Sequence, residues 1–331
     1  MAIISQLHCI FAAMKSFDTI IGTDVLQAIA YLQNGETVAI PTETVYGLAA
    51  NALDDDAVLK IFEAKNRPHF DPLIVHVANK EQIPDYVSAI PEQAIKLMNA
   101  FMPGPITLLL KKKANIPDLV TSGLDTVAIR VPQHPLALAL LNKLDFPLAA
   151  PSANPFGYIS PTTAQHVYDQ LHGKIPYILD GGSTNVGVES TIVGFEDEQV
   201  MVYRLGGLAL DEIEKIVGPV LLNNMESSNP MAPGLLKSHY APRKKLYFNP
   251  VVKTEFENIA VIAFDKFVDD YPKEKQVLLS EKGDLHEAAR NLFSVMRQLD
   301  KSDAEIIVAV KFPDHGLGLA INDRLKRASA E

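Results

Sequence analysis

Short apolar runs of strand length alternate with amphipathic stretches of helix length from about residue 17 to residue 218, and the alternation is irregular. Asp24 caps a helix whose apolar positions are Val25, Leu26, Ile29, Ala30 and Leu32, and Asn34-Gly35 ends it. Residues 37–40 read as a buried strand closed by Pro41. Asp54–Asp56 open a second helix, and further strands fall at 73–78, 106–110, 126–131, 147–150, 177–179 and 191–193. Between them, helices are predicted at 92–101, 134–144 and 162–171. Strict βαβ regularity is absent, so the expected fold is α/β with a mixed, twisted sheet and flanking helices. Residues 244–331 read β-β-α-β-α, a smaller α/β unit of Rossmann-like type, with an amphipathic helix over 285–299. Residues 219–243 form a linker, and residues 1–16 read as a leader in which Met14 is an alternative start.

Composition narrows the function classes. The 331 residues carry a net charge of -10, so any phosphate site must be local, and a protein that wraps nucleic acid would be basic. The single cysteine, Cys9, excludes an intrachain disulfide framework and a Cys-rich zinc site, and fits a reducing, cytoplasmic setting. No apolar run approaches the ~20 residues of a membrane span. Neither G-x-x-x-x-G-K-[ST] nor G-x-S-x-G occurs, which argues against a P-loop and an α/β-hydrolase.

Three polar segments interrupt the apolar pattern: P-T-E-T-V-Y-G-L at 41–48, A-K-N-R-P at 64–68 and A-P-S-A-N at 150–154. Lys65 continues the stripe of Val58, Ile61 and Phe62 at helical spacing, so its charge lies on the apolar face. It is either a snorkelling C-terminal lysine or, with Arg67, half of an anion clamp. The hydroxyls of Thr42 and Thr44 either bond their own turn or face a ligand at a strand end. Arg130 alternates against Val127, Ile129 and Val131, so it needs a buried anionic partner, internal acid or ligand. Ser160-Pro161-Thr162 has the look of a helix cap. His76 lies inside a strand, where a satisfied core role competes with a ligand role. Arg204 ends a strand, and His239 and Tyr240 cluster in the linker.

In this fixed order the segments, with P-G-P-I-T, A-I-R-V-P, G-V-E-S-T-I, H-Y-A-P and G-L-G-L-A-I-N-D-R, resemble the long-form YrdC-like threonylcarbamoyl-AMP synthases. That resemblance covers nearly the whole chain outside the leader and implies a nucleotidyltransferase. Its reaction joins L-threonine, bicarbonate or CO2 and ATP into threonylcarbamoyl-AMP and pyrophosphate. The product feeds N6-threonylcarbamoyladenosine formation in tRNA through a separate transferase, and direct tRNA contact is a further implied partner. It also implies an ATP side made of Lys65, Arg67, Asp71, Thr126, Ser152, Asn154, Ser160, Arg204, Gly234, His239 and Tyr240. The implied threonine side is Thr42, Thr44, His76, Arg130, Ala150 and Ser190. Mg2+ is expected on the triphosphate, held by ATP oxygens and water with no protein ligand. No covalent protein intermediate is needed, so positioning and charge neutralisation carry the catalysis. The competing reading is an RNA-binding module of the same fold without synthase activity; a hydrogenase-maturation carbamoyl-transfer domain lacks support because acylphosphatase and zinc-finger segments are absent.

Overall fold

The computed structural model describes residues 16–196, 199–223, 238–249 and 258–330. Among these, eleven strands form one sheet: β1 Ile20–Gly22, β2 Val38–Ile40, β3 Gly47–Asn51, β4 Ile74–His76, β5 Ile106–Lys111, β6 Thr126–Arg130, β7 Leu148–Ala149, β8 Tyr177–Leu179, β9 Thr191–Glu196, β10 Gln199–Arg204 and β11 Leu221–Leu222. Their order is β1-β8-β2-β3-β7-β4-β6-β5-β9-β10-β11, with parallel and antiparallel pairs mixed. The expected mixed α/β sheet is therefore present. Val75, Ile129, Leu108 and Val193 point to one face of it, where Val58, Ile61, Phe62 and Leu97 of the covering helices complete the main core. Period-two alternation sends Ile74, His76, Ala128 and Arg130 to the other face, and β4 and β6 pair in register so that His76 stands beside Arg130.

A second sheet is parallel throughout: β12 Lys245–Phe248, β13 Ile259–Ala263, β14 Gln276–Leu278 and β15 Ile306–Ala309, in the order β12-β15-β13-β14. The helices Leu285–Lys301 and Gly318–Ala328 pack on it through Leu292, Phe293, Met296, Ile321 and Leu325. This is the expected small parallel unit, with β14 as an additional strand.

Four features differ from the sequence expectation. Residues 47–51 are a strand, because Gly47–Asn51 finds antiparallel partners on both sides, a long-range pairing that leaves no local signal. Ile20–Gly22 forms the edge strand beside β8. The larger sheet extends through Leu222, since β11 pairs with β10, so its last strand falls inside the stretch expected to be linker. The cap of the helix Ala164–Leu171 is Thr163, whose side chain accepts from the His166 amide, and not Ser160. Cys9 and Met14 lie outside the described residues.

The two units meet at Gly187, which has φ +83° and whose absent Cβ would fall 2.3 Å from Arg290 Cα and 2.5 Å from the Ala289 carbonyl oxygen. Gly187→Ala should combine about 1–2 kcal/mol for a left-handed residue with about 1–3 kcal/mol of overpacking against a helix backbone. A lower Tm for that variant is the expected result; an unchanged Tm would contradict this close approach. Among the described residues no helix is long and apolar enough to cross a membrane.

Candidate active site

A cavity of about 510 Å3, its open mouth included, lies on the second face of the larger sheet. Strand alternation supplies Ile74, His76 and Arg130 to its floor. The turn before β3 supplies Thr42, Thr44, Val45 and Gly47, and the segment after β7 supplies Ala150, Pro151 and Ser152. Glu189 and Ser190 enter just ahead of β9, Arg204 from the end of β10, and His239 and Tyr240 from the stretch that precedes the second sheet. Arg67 completes the wall.

The three polar segments are tied to one another. The Leu48 amide donates to the Pro151 carbonyl at 2.7 Å and the Ala153 amide to Tyr46 at 2.8 Å. Lys65 Nζ donates to the carbonyls of Ser152 and Asn154, both at 2.5 Å. Segment 150–154 thus bridges the other two. Tyr46 anchors the first segment by donating from its hydroxyl to the Gly182 carbonyl at 2.7 Å. Thr42 Oγ1 donates to the Val45 carbonyl at 2.6 Å and shares a hydrogen bond with Thr44 Oγ1. The turn-forming role of Thr42 is real, and both threonines still line the cavity.

Arg204 is aimed by a β-bulge. Val202 pairs with Val193, and the register shifts so that Arg204 pairs with Ile192, on the cavity side of the sheet. Simple alternation would have left it on the Val202 face, in the core. Its Nε and NH2 donate to the Ser190 carbonyl at 3.1 and 2.9 Å.

Several residues of the expected set stand behind the cavity. Lys65 and Asp71 are fully enclosed neighbours of Arg67 and do not line it. The Asn154 amide donates to the carbonyls of Pro155 and Tyr158, shaping its own loop. Ser160 Oγ donates to Glu189 Oε1 at 2.5 Å, so it acts through that carboxylate. Thr126 lies at the far end of β6, four residues and about 13 Å along the strand from Arg130 at ~3.3 Å per residue, and pairs with Lys111. It does not line the cavity. Gly234 lies outside the described residues. Glu189 lines the cavity and Glu43 stands beside it as the partner of Arg130; neither belongs to the expected set. Each was findable from the need of a buried arginine for an acid: Arg130 NH2 donates to Glu43 Oε1 at 2.6 Å, and Arg324 Nε to Glu189 Oε2 at 2.9 Å.

Residues 30–206 match the Sua5/YciO/YrdC family model, described as telomere recombination, and residues 208–330 match that of the threonylcarbamoyl-AMP synthase C-terminal domain. The chain belongs to the Sua5/YciO/YrdC family. It is 41% identical to the threonylcarbamoyl-AMP synthase of Pyrococcus abyssi, over 91% of this chain and 93% of that one. To the Bacillus subtilis enzyme of the same name it is 40% identical, over 92% of each chain. A crystal structure of P. abyssi Sua5 complexed with L-threonine superposes with a TM-score of 0.86 at 38% identity, covering 95% of this chain and 97% of that one.

Charge in this Sua5-family site is concentrated and desolvated. Burial drives the Lys65 ammonium well below its ordinary value, Arg67 beside it pushes the same way, and Asp71 opposes both. Burial also lowers Arg67 and raises Asp71, although the two touch at 2.9 Å. That contact is ionic with poor hydrogen-bond direction, because the Arg67 Nε and NH2 point at the carbonyls of Asp71 and Pro72. Glu189 is held below the usual carboxylate range: burial opposes this, but Arg324, Arg204 and the Ser160 hydroxyl outweigh it. Arg130 Nε, His239 Nδ1 and the Tyr240 hydroxyl are buried with no hydrogen-bond partner among the described residues. Leaving such groups unmet costs about 1–3 kcal/mol each, so these walls are built for a polar, anionic occupant.

Burial also keeps three histidines neutral, His76 and His239 down to about 3 and His166 down to about 4. The unfolded chain protonates its histidines near pH ~6.5 and the folded one does not. Their contribution is therefore complete above that pH and is lost as pH falls through the window below it. Asp71, raised by burial, works in the opposite sense. We expect Tm to decline from pH 7 to pH 5, above most of the carboxylate range; a flat Tm across that interval would contradict neutral, buried imidazoles.

Proposed function

We propose that this chain makes L-threonylcarbamoyl-AMP and pyrophosphate from L-threonine, bicarbonate or CO2, and ATP, a nucleotidyl transfer whose product is passed on for tRNA modification. The observation that carries the reading is one cavity lined by three arginines, Arg67, Arg130 and Arg204, between hydroxyl-bearing turns. A zwitterion and a polyphosphate bound together need several cations and hydroxyl donors in one place.

Threonine binds with its carboxylate on Arg130, whose Nε has no partner among the described residues and whose NH2 holds Glu43. Thr42, Thr44, His76, Ala150 and Ser190 shape the pocket around it. The amine must be neutral to attack CO2 or bicarbonate, and nearby arginines favour loss of its proton. The triphosphate lies toward Arg67, Ser152 and Arg204, with His239 and Tyr240 on the same side. Lys65, behind the wall, acts on the triphosphate through its charge and through the Ser152 and Asn154 carbonyls that it holds in place. Asp71, Asn154 and Ser160 support these groups from behind. As the carbamate meets the α-phosphorus, fixed cations stabilise the charge that develops on departing pyrophosphate, with no covalent protein intermediate.

Mg2+ enters with ATP. Glu43, Glu189 and Asp71 are each engaged by an arginine, so the donor set fits a metal held by phosphate oxygens and water. Such a metal would neutralise phosphate charge.

Purified protein given threonine, bicarbonate and Mg-ATP should release pyrophosphate only when threonine is present. Pyrophosphate release that ignores threonine, or none at all, would overturn this function. Salt-sensitive RNA binding without adenylate formation would favour a binding module.

A further inference from the structure

The second unit touches the cavity wall through Phe293, which stacks on Tyr240, and through a charged side chain that the chemistry above does not use. Arg324, on the helix Gly318–Ala328, is fully buried and does not line the cavity, but it holds two residues that do. Its Nε donates to Glu189 Oε2 at 2.9 Å, its NH2 to the Leu205 carbonyl at 2.7 Å, and its NH1 to the neighbouring Asp323 carboxylate. The same guanidinium lies 4.9 Å from the centroid of the Tyr240 ring. With Ser160 on its other oxygen, Glu189 is held at both ends.

Tyr240 needs support of this kind. Its φ is +66°, the left-handed region, which is unusual for a bulky residue. Stacking on Phe293 at 5.6 Å, the Ala241 amide bonded to the Gly157 carbonyl at 2.8 Å, and the Arg324 face hold the segment there. Strained backbone of this sort persists when its surroundings over-determine it and gathers at functional sites.

We propose that Arg324 is a positioning residue: from the C-terminal helix it fixes the Glu189 carboxylate and the Tyr240 ring in the cavity wall, so the second unit sets the geometry of the nucleotide side. This rests on the synthase reading for its kinetic consequences. A planar fork satisfies three acceptors and an aromatic face at once; a lysine replaces the charge alone. The groups facing Glu189 are Arg324 from this helix, Arg204 from β10, Ser160 from the loop after segment 150–154, and His239 and Tyr240 from the stretch before β12, with Asp323 on the far side of Arg324. Without Arg324 the burial that raises the carboxyl persists while its largest counterweight goes, so Glu189 would begin to protonate at higher pH.

The test compares Arg324→Met, Arg324→Lys, Glu189→Gln and the Arg324→Met/Glu189→Gln double variant. Readouts are kcat/KM for ATP against pH, Tm, and the 13C titration of the Glu189 carboxyl in glutamate-labelled protein. Residues in contact couple strongly enough that Arg324→Met should lose roughly 2- to 150-fold in kcat/KM. The loss should deepen from pH 8 to pH 6, with the Glu189 midpoint moved up. Arg324→Lys should fall between wild type and Arg324→Met, and the double variant should lose the pH-dependent part. A lower Tm with wild-type kcat/KM and an unmoved Glu189 midpoint would overturn the proposal and leave Arg324 a structural tie. If Arg324→Met does not fold, wild-type kinetics in Arg324→Lys would overturn it. A wild-type chain without threonine-dependent pyrophosphate would sink the synthase reading alone, because the carboxyl titration needs no turnover.

Discussion

Replacing Lys65 with Ala is expected to cut threonine-dependent pyrophosphate formation by about 10²–10³-fold, the cost of removing one pre-aimed charge from a desolvated site. Its ammonium is completely enclosed and bonds the Ser152 and Asn154 carbonyls, which fixes the segment carrying the Ser152 side chain. The same change should lower Tm, because two buried acceptors lose donors worth about 1.5–3 kcal/mol each when charged. Arg67→Ala separates the two effects. Arg67 lines the cavity directly, and the buried Asp71 it leaves behind can protonate, since burial already raises that carboxyl. Kinetics measured well below the Tm of each variant would decide the matter. Lys65→Ala and Arg67→Ala variants that turn over like wild type would remove both residues from the phosphate side.

Arg130→Met should raise the KM for threonine far more than it changes the KM for ATP. Truncating one partner of a buried, hydrogen-bonded charge pair costs about 2–5 kcal/mol, which at 1.36 kcal/mol per decade is roughly 30-fold or more. Part of that cost is structural, because Glu43 would be left buried opposite a thioether. Adding Glu43→Gln removes the stranded charge. The double variant should therefore recover Tm while its threonine KM stays high. Recovery of both together would mean that Arg130 serves only to neutralise Glu43, and the substrate carboxylate binds elsewhere.

Much of this site can be read along the chain. Strand alternation places Arg130 opposite Val127, Ile129 and Val131, and the structure puts it on the cavity face for that reason. The helical stripe Val58, Ile61, Phe62 and Lys65 is wholly buried as its spacing requires. Thr42, Thr44, His76, Arg67, Ser152, Ser190, Arg204, His239 and Tyr240 all line one cavity. Thr126 marks one limit: it does not line that cavity, because four residues of strand separate it from Arg130 by about 13 Å. Ser160 shows another limit. A hydroxyl ahead of a helix looks like a cap, yet its partner is a carboxylate 29 residues away.

What the amino-acid order alone determined here is local: which residues alternate, which stripe is apolar, and which turns carry hydroxyls. These follow from periods of two and of 3.6 residues and from turn chemistry, all of which act within a few positions of the chain. Tertiary structure alone decided which buried charge meets which. The bulge that turns Arg204 toward the cavity depends on pairing with β9, and the Arg130 and Arg324 counter-ions depend on how loops and helices are stacked. A buried charge must find its partner wherever packing brings one, and that distance in sequence, 87 residues for Arg130 and Glu43 and 135 for Arg324 and Glu189, leaves no periodic trace to read.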